Sequence, residues 1–275
     1  MKEYLNTNFD KVKVICAFDE LPLWSAPFGL KLLDAIDYKL DMTVLDIGFG
    51  SGFPLTELAM RLGNSSVVYG IDSWKEVIGR AKEKIGCYGI TNIKIIEGEA
   101  ESVPLNDGSI DLITSNNGVN NVVDIDKVLS ECTRILKPGG QFVQTMNLDQ
   151  SMFEFYGQME AVLEEMGMNQ EIEKMYEHIA HKRPSIDKMK VSLKKQGFII
   201  KDLEYDQFNY RFATGTAMLN YYFIRLAFMD SWKALLPEDK VDEVFDRIET
   251  RLNEYAKRHC GVKLSIHFAL INVTK

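Results

Sequence analysis

The chain has 275 residues, 46% hydrophobic and 26% charged, with a formal net charge of −8 and a pI near 5.2. That length supports one large domain or two small ones with a core that needs no staple, and the mix excludes a disordered or low-complexity chain. The acidic balance argues against nucleic acid, whose binding rests on Lys and Arg neutralising phosphates, and leaves a small molecule as the expected partner.

Four cysteines, Cys16, Cys87, Cys132 and Cys260, stand far apart with no CxxC spacing. Neither a metal site nor a disulfide framework is expected, and a reducing compartment fits. The opening MKEYLNTNFDKVK has no apolar core of signal-peptide length, and no window of about 18 apolar residues occurs anywhere. A soluble, unprocessed, cytoplasmic protein without a membrane span is therefore expected. Residues 1 to 40 hold DELPLWSAPFG, too apolar for a loose tail. They are expected to form an N-terminal helical cover on the sheet or on its C-terminal edge.

From residue 43 strand and helix alternate: TVLDI, a helix from Pro54 to Leu62 stopped by Gly63, SVVYGID, and a helix from about Trp74 to Ile85. The βαβ rhythm continues with IKIIEG, a turn-rich VPLNDGS, the apolar IDLITS, a helix over DIDKVLSECTRIL, and a KPGG stop before QFVQTM. Apolar runs without polar alternation suit parallel strands buried on both faces. After Met146 come two helical patterns between about 150 and 181, a helix from Pro184 to Gln196 ended by Gly197, and the strand FIIKDLEYDQFNYRF. An aromatic helix over about 214 to 235, an amphipathic helix over 238 to 260 and a last strand, KLSIHFALINVT, complete the chain. The expected fold is α/β: a Rossmann-like, doubly wound seven-stranded sheet, mostly parallel with the last strand antiparallel, with helical additions. It is expected to be one domain over 1–275, with its ligand-binding core at 41–146 and helical insertions at 147–183 and 211–260.

The stretch VLDIGFGSGF places Gly48, Gly50 and Gly52 directly after the first strand, where an open α/β sheet binds its ligand. A dinucleotide fingerprint needs a glycine at the sixth position, which here is Phe53, so an NAD-dependent oxidoreductase is the weaker alternative. Asp72 ends the second strand, and a carboxylate there can accept from both hydroxyls of a ribose.

VLDIGFGSG, Asp72, EGEAESVPLNDGSIDLI and IDKVLSECTRILKPGG together resemble the class I S-adenosylmethionine (SAM) dependent methyltransferases over roughly residues 40 to 146. The resemblance implies SAM as cofactor: Gly48, Gly50 and Gly52 admit its methionine part, with Asp46 near the amino group. It also implies that Asp72 holds the ribose, that Glu99 and Ala100 meet the adenine edge, and that Asn116 joins the cofactor site. Glu99 stands where the family more often has aspartate. Trp74 either lies against the adenine face or packs on its own helix.

Methyl transfer is an in-line displacement in which positioning in a dry site does much of the work, so no catalytic group is compulsory and none is assigned. The segment SNNGVNNVVDID carries Asn116, Asn117, Asn120 and Asn121 beyond the fourth strand. They form either a turn with a helix N-cap or a set of carboxamides in which Asn117 or Asn121 binds the methyl acceptor. The absence of proline there departs from the adenine amino-methyltransferases. The segment is similar to the quinone C-methyltransferases, with an asparagine in place of their common arginine. The core also resembles the arsenite methyltransferases, but the four cysteines do not match theirs, which excludes arsenite.

The insertions are expected to form the acceptor pocket. Tyr205, Phe208, Tyr210, Phe212, Tyr221, Tyr222, Phe223, Phe228 and Trp232 are either core or walls for a partly apolar or aromatic acceptor, and Met152 to Met175 add adaptable surface. His178 and His181 are solvated helix-end residues or candidate bases, and His181 is kept as a substrate-binding candidate. The basic stretch from Lys182 to Lys195 is a solvated face or an attractor for an anionic acceptor. The third helical addition is a candidate surface for a homodimer. The expected function is SAM-dependent methylation of a small molecule; the alternative is a SAM or S-adenosylhomocysteine binding module without turnover.

Overall fold

Short apolar runs bounded by turn residues become the strands of one seven-stranded sheet. The computed structural model describes residues 2–7, 22–183 and 185–275. Residues 8–21 of the expected N-terminal cover, Cys16 with them, and Pro184 at the expected helix start lie outside the described residues. In chain order the core runs α1 (Pro22–Asp34), β1 (Thr43–Ile47), α2 (Leu55–Leu62), β2 (Val67–Asp72), α3 (Lys75–Cys87), β3 (Ile93–Glu97), β4 (Ile110–Asn116), α4 (Ile125–Ile135) and β5 (Leu136–Asn147). Then follow α5 (Phe153–Glu165), α6 (Asn169–Lys182), α7 (Ile186–Lys195) and β6 (Ile199–Phe212). The chain ends with α8 (Gly215–Asn220), α9 (Tyr222–Ile224), a π-helical turn (Arg225–Met229), α10 (Asp230–Lys233), α11 (Val241–His259) and β7 (Val262–Thr274).

The strand order is β3-β2-β1-β4-β5-β7-β6. Strands β1 to β5 pair in parallel, and β7 runs antiparallel to β5, with Thr145 opposite Leu270. The order reverses between β1 and β4, which opens a crevice at the carboxyl ends of those strands. On one face Leu45, Ile113, Phe142 and Ile271 meet Val128 and Cys132 of α4 and Leu193 of α7. On the other, Val44, Leu112, Val143 and Leu270 meet Leu32 and Leu33 of α1, Leu58 of α2 and Ile78 of α3. Burial on both faces explains the unbroken apolar runs.

The chain divides into two compact units. The sheet unit holds 22–148, 183–206 and 268–275; the helical unit holds described residues 2–7 with 149–182 and 207–267. In the helical unit Trp232 is fully buried, stacked on Phe155 at 3.8 Å between ring centres, and donates its indole N–H to the Tyr156 hydroxyl at 3.1 Å. Glu249 of α11 gathers Lys2, Tyr4 and Thr216.

Two expected elements differ. KPGG does not interrupt the fifth strand: Leu136 already pairs with Ile110, the register shifts, and pairing resumes at Gln141. Gly139 and Gly140 are held to Lys275 by backbone bonds of 3.0 and 3.1 Å, a long-range contact that no local pattern announces. The aromatic helix expected over 214–235 is broken at Tyr221, whose backbone is extended (φ −60°, ψ 125°). There the tyrosine ring packs on Phe212 and Tyr210, with centres 5.3 and 5.8 Å away. Ring burial outweighs one turn of helix. Among the described residues no helix is long and apolar enough to cross a membrane.

Candidate functional site

The loop after β1 turns sharply because its three glycines have φ of 76°, 53° and 112°, conformations that a side chain penalises. A Cβ on Gly48 would sit 2.9 Å from the Gly118 Cα, so the loop after β4 approaches as bare backbone on both sides. The glycine N–H groups are committed internally: Gly48 to Ile71 O at 2.9 Å, Gly50 to Asp72 Oδ2 at 2.8 Å, and Gly52 to Phe49 O at 2.9 Å. The glycines thus leave bare backbone whose N–H groups are already bonded, and they form no nest of donors for phosphate.

Two carboxylates flank this loop. Asp46, in β1, is fully buried. Its Oδ1 accepts from the Thr114 hydroxyl at 2.8 Å, and its Oδ2 has no partner among the described residues. Burial raises its pKa to about 7, only partly opposed by the Thr114 bond, and the charge of Asp72 adds to the rise. Asp72, at the end of β2, accepts from the N–H groups of Gly50 at 2.8 Å and Trp74 at 2.9 Å, one on each oxygen. Each oxygen keeps a lone pair for a further donor. Trp74 stands at the N-cap position of α3 without a side-chain cap bond and is 38% exposed. The Gly98 N–H bonds the Asp72 carbonyl at 3.0 Å, which carries exposed Glu99 and buried Ala100 past the end of β2.

Asn116 donates to Ser25 O of α1 at 3.1 Å and accepts from the Thr145 hydroxyl at 2.9 Å, so its carboxamide joins α1 to β4 and β5. Asn117 has φ of 58°, bonds Thr145 O through its N–H at 3.1 Å, and keeps a buried Oδ1 without a partner among the described residues. Asn121 donates to the Asn117 carbonyl at 2.6 Å and fastens the loop. The N-cap of α4 is Asp124, accepting from Lys127 N–H at 3.0 Å, and not an asparagine. His181 is exposed in the last turn of α6, in the helical unit. Sequence reasoning missed Thr114, which orients Asp46, and Gly118, where a Cβ would fall 2.4 Å from Ile47 O. Gly118 sits among the asparagines already singled out, whereas a threonine inside an apolar strand gives no such signal.

A buried carboxylate with an unmet oxygen, a second carboxylate set for hydroxyl donors, and a cleared backbone fit the ammonium, ribose and methionine chain of SAM. A Methyltransferase domain model matches residues 39–198, more than half of the chain, and the protein belongs to that family, the class I SAM-dependent methyltransferases. SAM is the family's cofactor. Demethylmenaquinone methyltransferase from Lactococcus lactis is 30% identical over 158 residues, 55% of this chain and 61% of that protein. The chain thus spans about six-tenths of the length of the curated relatives it matches. A SAM-dependent methyltransferase structure from Aquifex aeolicus superposes with a TM-score of 0.54 at 23% identity, covering 71% of this chain and 92% of that one. A structure from Bacillus halodurans reaches 0.60 at 18% identity, covering 90% of this chain and 98% of that one, and shares the fold.

Proposed function

We propose that the protein transfers a methyl group from SAM to a small, partly apolar or aromatic acceptor in the cytoplasm. The observation that carries this reading is the buried Asp46 carboxylate with one oxygen unmet, beside a loop whose glycine N–H groups are already committed. Such a site suits a cationic, phosphate-free ligand and not a dinucleotide. When bound, SAM supplies an electrophilic methyl carbon on sulfur. Asp46 balances the ligand's ammonium, Asp72 accepts from the ribose hydroxyls, and Glu99 with Ala100 meets the adenine edge. Asn117 holds the methyl acceptor, and the remaining contribution is exclusion of water around the transfer line. Similarity to demethylmenaquinone methyltransferases makes aromatic ring systems the first acceptors to try, and the unpaired Cys87, Cys132 and Cys260 suit a reducing compartment.

Thermal unfolding with SAM, S-adenosylhomocysteine and NAD tests the cofactor. The first two should each add about 2.7 kcal/mol at 100 times their dissociation constant. Stabilisation by NAD alone would refute the reading. Transfer of labelled methyl to an aromatic acceptor panel then separates an enzyme from a binding module.

A further inference from the structure

The carboxyl ends of the strands in the sheet unit are short of hydrogen-bond donors. Asp46, Glu101, Asn117, Asn120 and Asn147 each keep a buried side-chain oxygen without a partner among the described residues. They sit on β1, after β3, just past β4 and at the last position of β5, the end of a parallel sheet where ligands bind. Asp46 is accounted for by the cofactor's ammonium, and Glu101 holds the Val123 and Asp124 N–H groups with its other oxygen. The three asparagines are not accounted for. Asn117 bonds the Thr145 carbonyl, and Asn147 lies two residues beyond Thr145 on the same strand face. Asn120 lies in the turn Val119–Asn121, which Asn121 fastens to the Asn117 carbonyl. An unmet nitrogen, that of Gln144, lies three residues before Asn147 and so on the opposite face of β5.

Unmet buried acceptors are relieved by a ligand's N–H or O–H, whereas a carboxylate, phosphate or bare carbonyl would set acceptor against acceptor. We propose that the methyl acceptor is a hydrogen-bond donor, a hydroxyl or amine compound without an anionic group at these contacts, recognised by the carboxamide oxygens of Asn117, Asn120 and Asn147. This rests on the methyltransferase reading and adds the acceptor's chemical class.

The test is ligand-observed NMR on full-length protein saturated with S-adenosylhomocysteine, using naphthol, its methyl ether and naphthoate as probes of one skeleton. Naphthol should bind about tenfold or more tighter than the ether, and naphthoate weakest. The Asn117→Gly/Asn120→Ala double variant should lose that preference; glycine keeps the left-handed backbone available at 117. Asn117→Asp, which retains the acceptor oxygens, should keep it. Equal binding of naphthol and its ether, tighter binding of naphthoate, absence of naphthol binding, or a preference that survives the double variant would each overturn the assignment. Tighter naphthoate binding would mean that the carboxamide nitrogens face the ligand. If S-adenosylhomocysteine itself does not bind, the methyltransferase reading fails instead, and the two failures stay distinguishable.

Discussion

Thr114 donates its hydroxyl to Oδ1 of Asp46 at 2.8 Å, while Oδ2 of the same buried carboxylate has no partner among the described residues. Burial lifts the Asp46 pKa to about 7, so the folded, unliganded protein keeps a proton there that the unfolded chain releases near pH 4. A raised folded pKa contributes stability that is complete below the unfolded value and is lost as pH rises through about 7. A bound ammonium favours the ionised form, so binding below pH 7 must expel the proton. The affinity for S-adenosylhomocysteine should fall about tenfold per pH unit below about 7. Asp46→Asn should bind weakly with no such slope, and should remove this group's share of the pH dependence of unliganded stability. Calorimetry in buffers of different ionisation heat counts the proton; a count of zero at about pH 6 would rule the model out.

Asp72 fixes the N–H groups of Gly50 and Trp74, one on each oxygen, and on the proposed reading its remaining lone pairs take the ribose hydroxyls. Asp72→Ala is expected to weaken S-adenosylhomocysteine binding by about 1–3 kcal/mol through lost charge-assisted hydrogen bonds. Asp72→Asn, which keeps one acceptor oxygen, should fall between. Titration calorimetry at fixed pH measures both, and an alanine variant with undiminished affinity would remove Asp72 from the site.

The close approach of Gly48 and Gly118 separates folding from binding. At Gly48 an added Cβ meets backbone at 2.9 Å, and at Gly118 it meets Ile47 O at 2.4 Å, so alanine at either position forces the loops apart. Each should cost about 1–3 kcal/mol of stability, by the range for overpacking. Gly50 has open space within 4 Å of the same position, so Gly50→Ala should meet only the left-handed backbone penalty, about 1–2 kcal/mol. It should reduce SAM binding more than it reduces stability. Paired urea melts and ligand titrations of the three variants would contradict this if Gly50→Ala proved the least stable.

The sheet was legible because its strands are buried on both faces, and apolar runs such as VLDI and IDLIT record that burial directly. The glycine turn after β1 was legible because positive φ at Gly48 and Gly52 leaves a compositional mark. Two kinds of feature stayed hidden. Tyr221 breaks a helix that its neighbours favour because Phe212 and Tyr210 lie across the fold, and Gly139 stays in a strand because Lys275 pairs with it from the far end of the chain. The asparagines past β4 were conspicuous in sequence, but their division of labour depends on partners. Asn116 is tied to Ser25 and Thr145, Asn121 to the Asn117 carbonyl, and Asn117 and Asn120 keep a buried oxygen without a partner among the described residues.

The nine aromatics between 205 and 232 were open to two readings, and Trp232 marks the packing end of that range. Its ring is fully buried, lies parallel to Phe155 at 3.8 Å and to Phe228 at 5.6 Å, and its N–H satisfies the Tyr156 oxygen. Trp232→Ala is expected to destabilise the helical unit by about 3–5 kcal/mol, the cost of a large cavity. Trp232→Phe should cost less, since the stack survives while the Tyr156 oxygen loses its donor. The sheet unit has its own two cores, so hydrogen exchange should show the loss concentrated in α5 and α10, with the amides of β1 and β4 protected as before. Equal loss of protection in β1 and β4 would mean that the two units unfold as one, as the single domain expected over 1–275 requires.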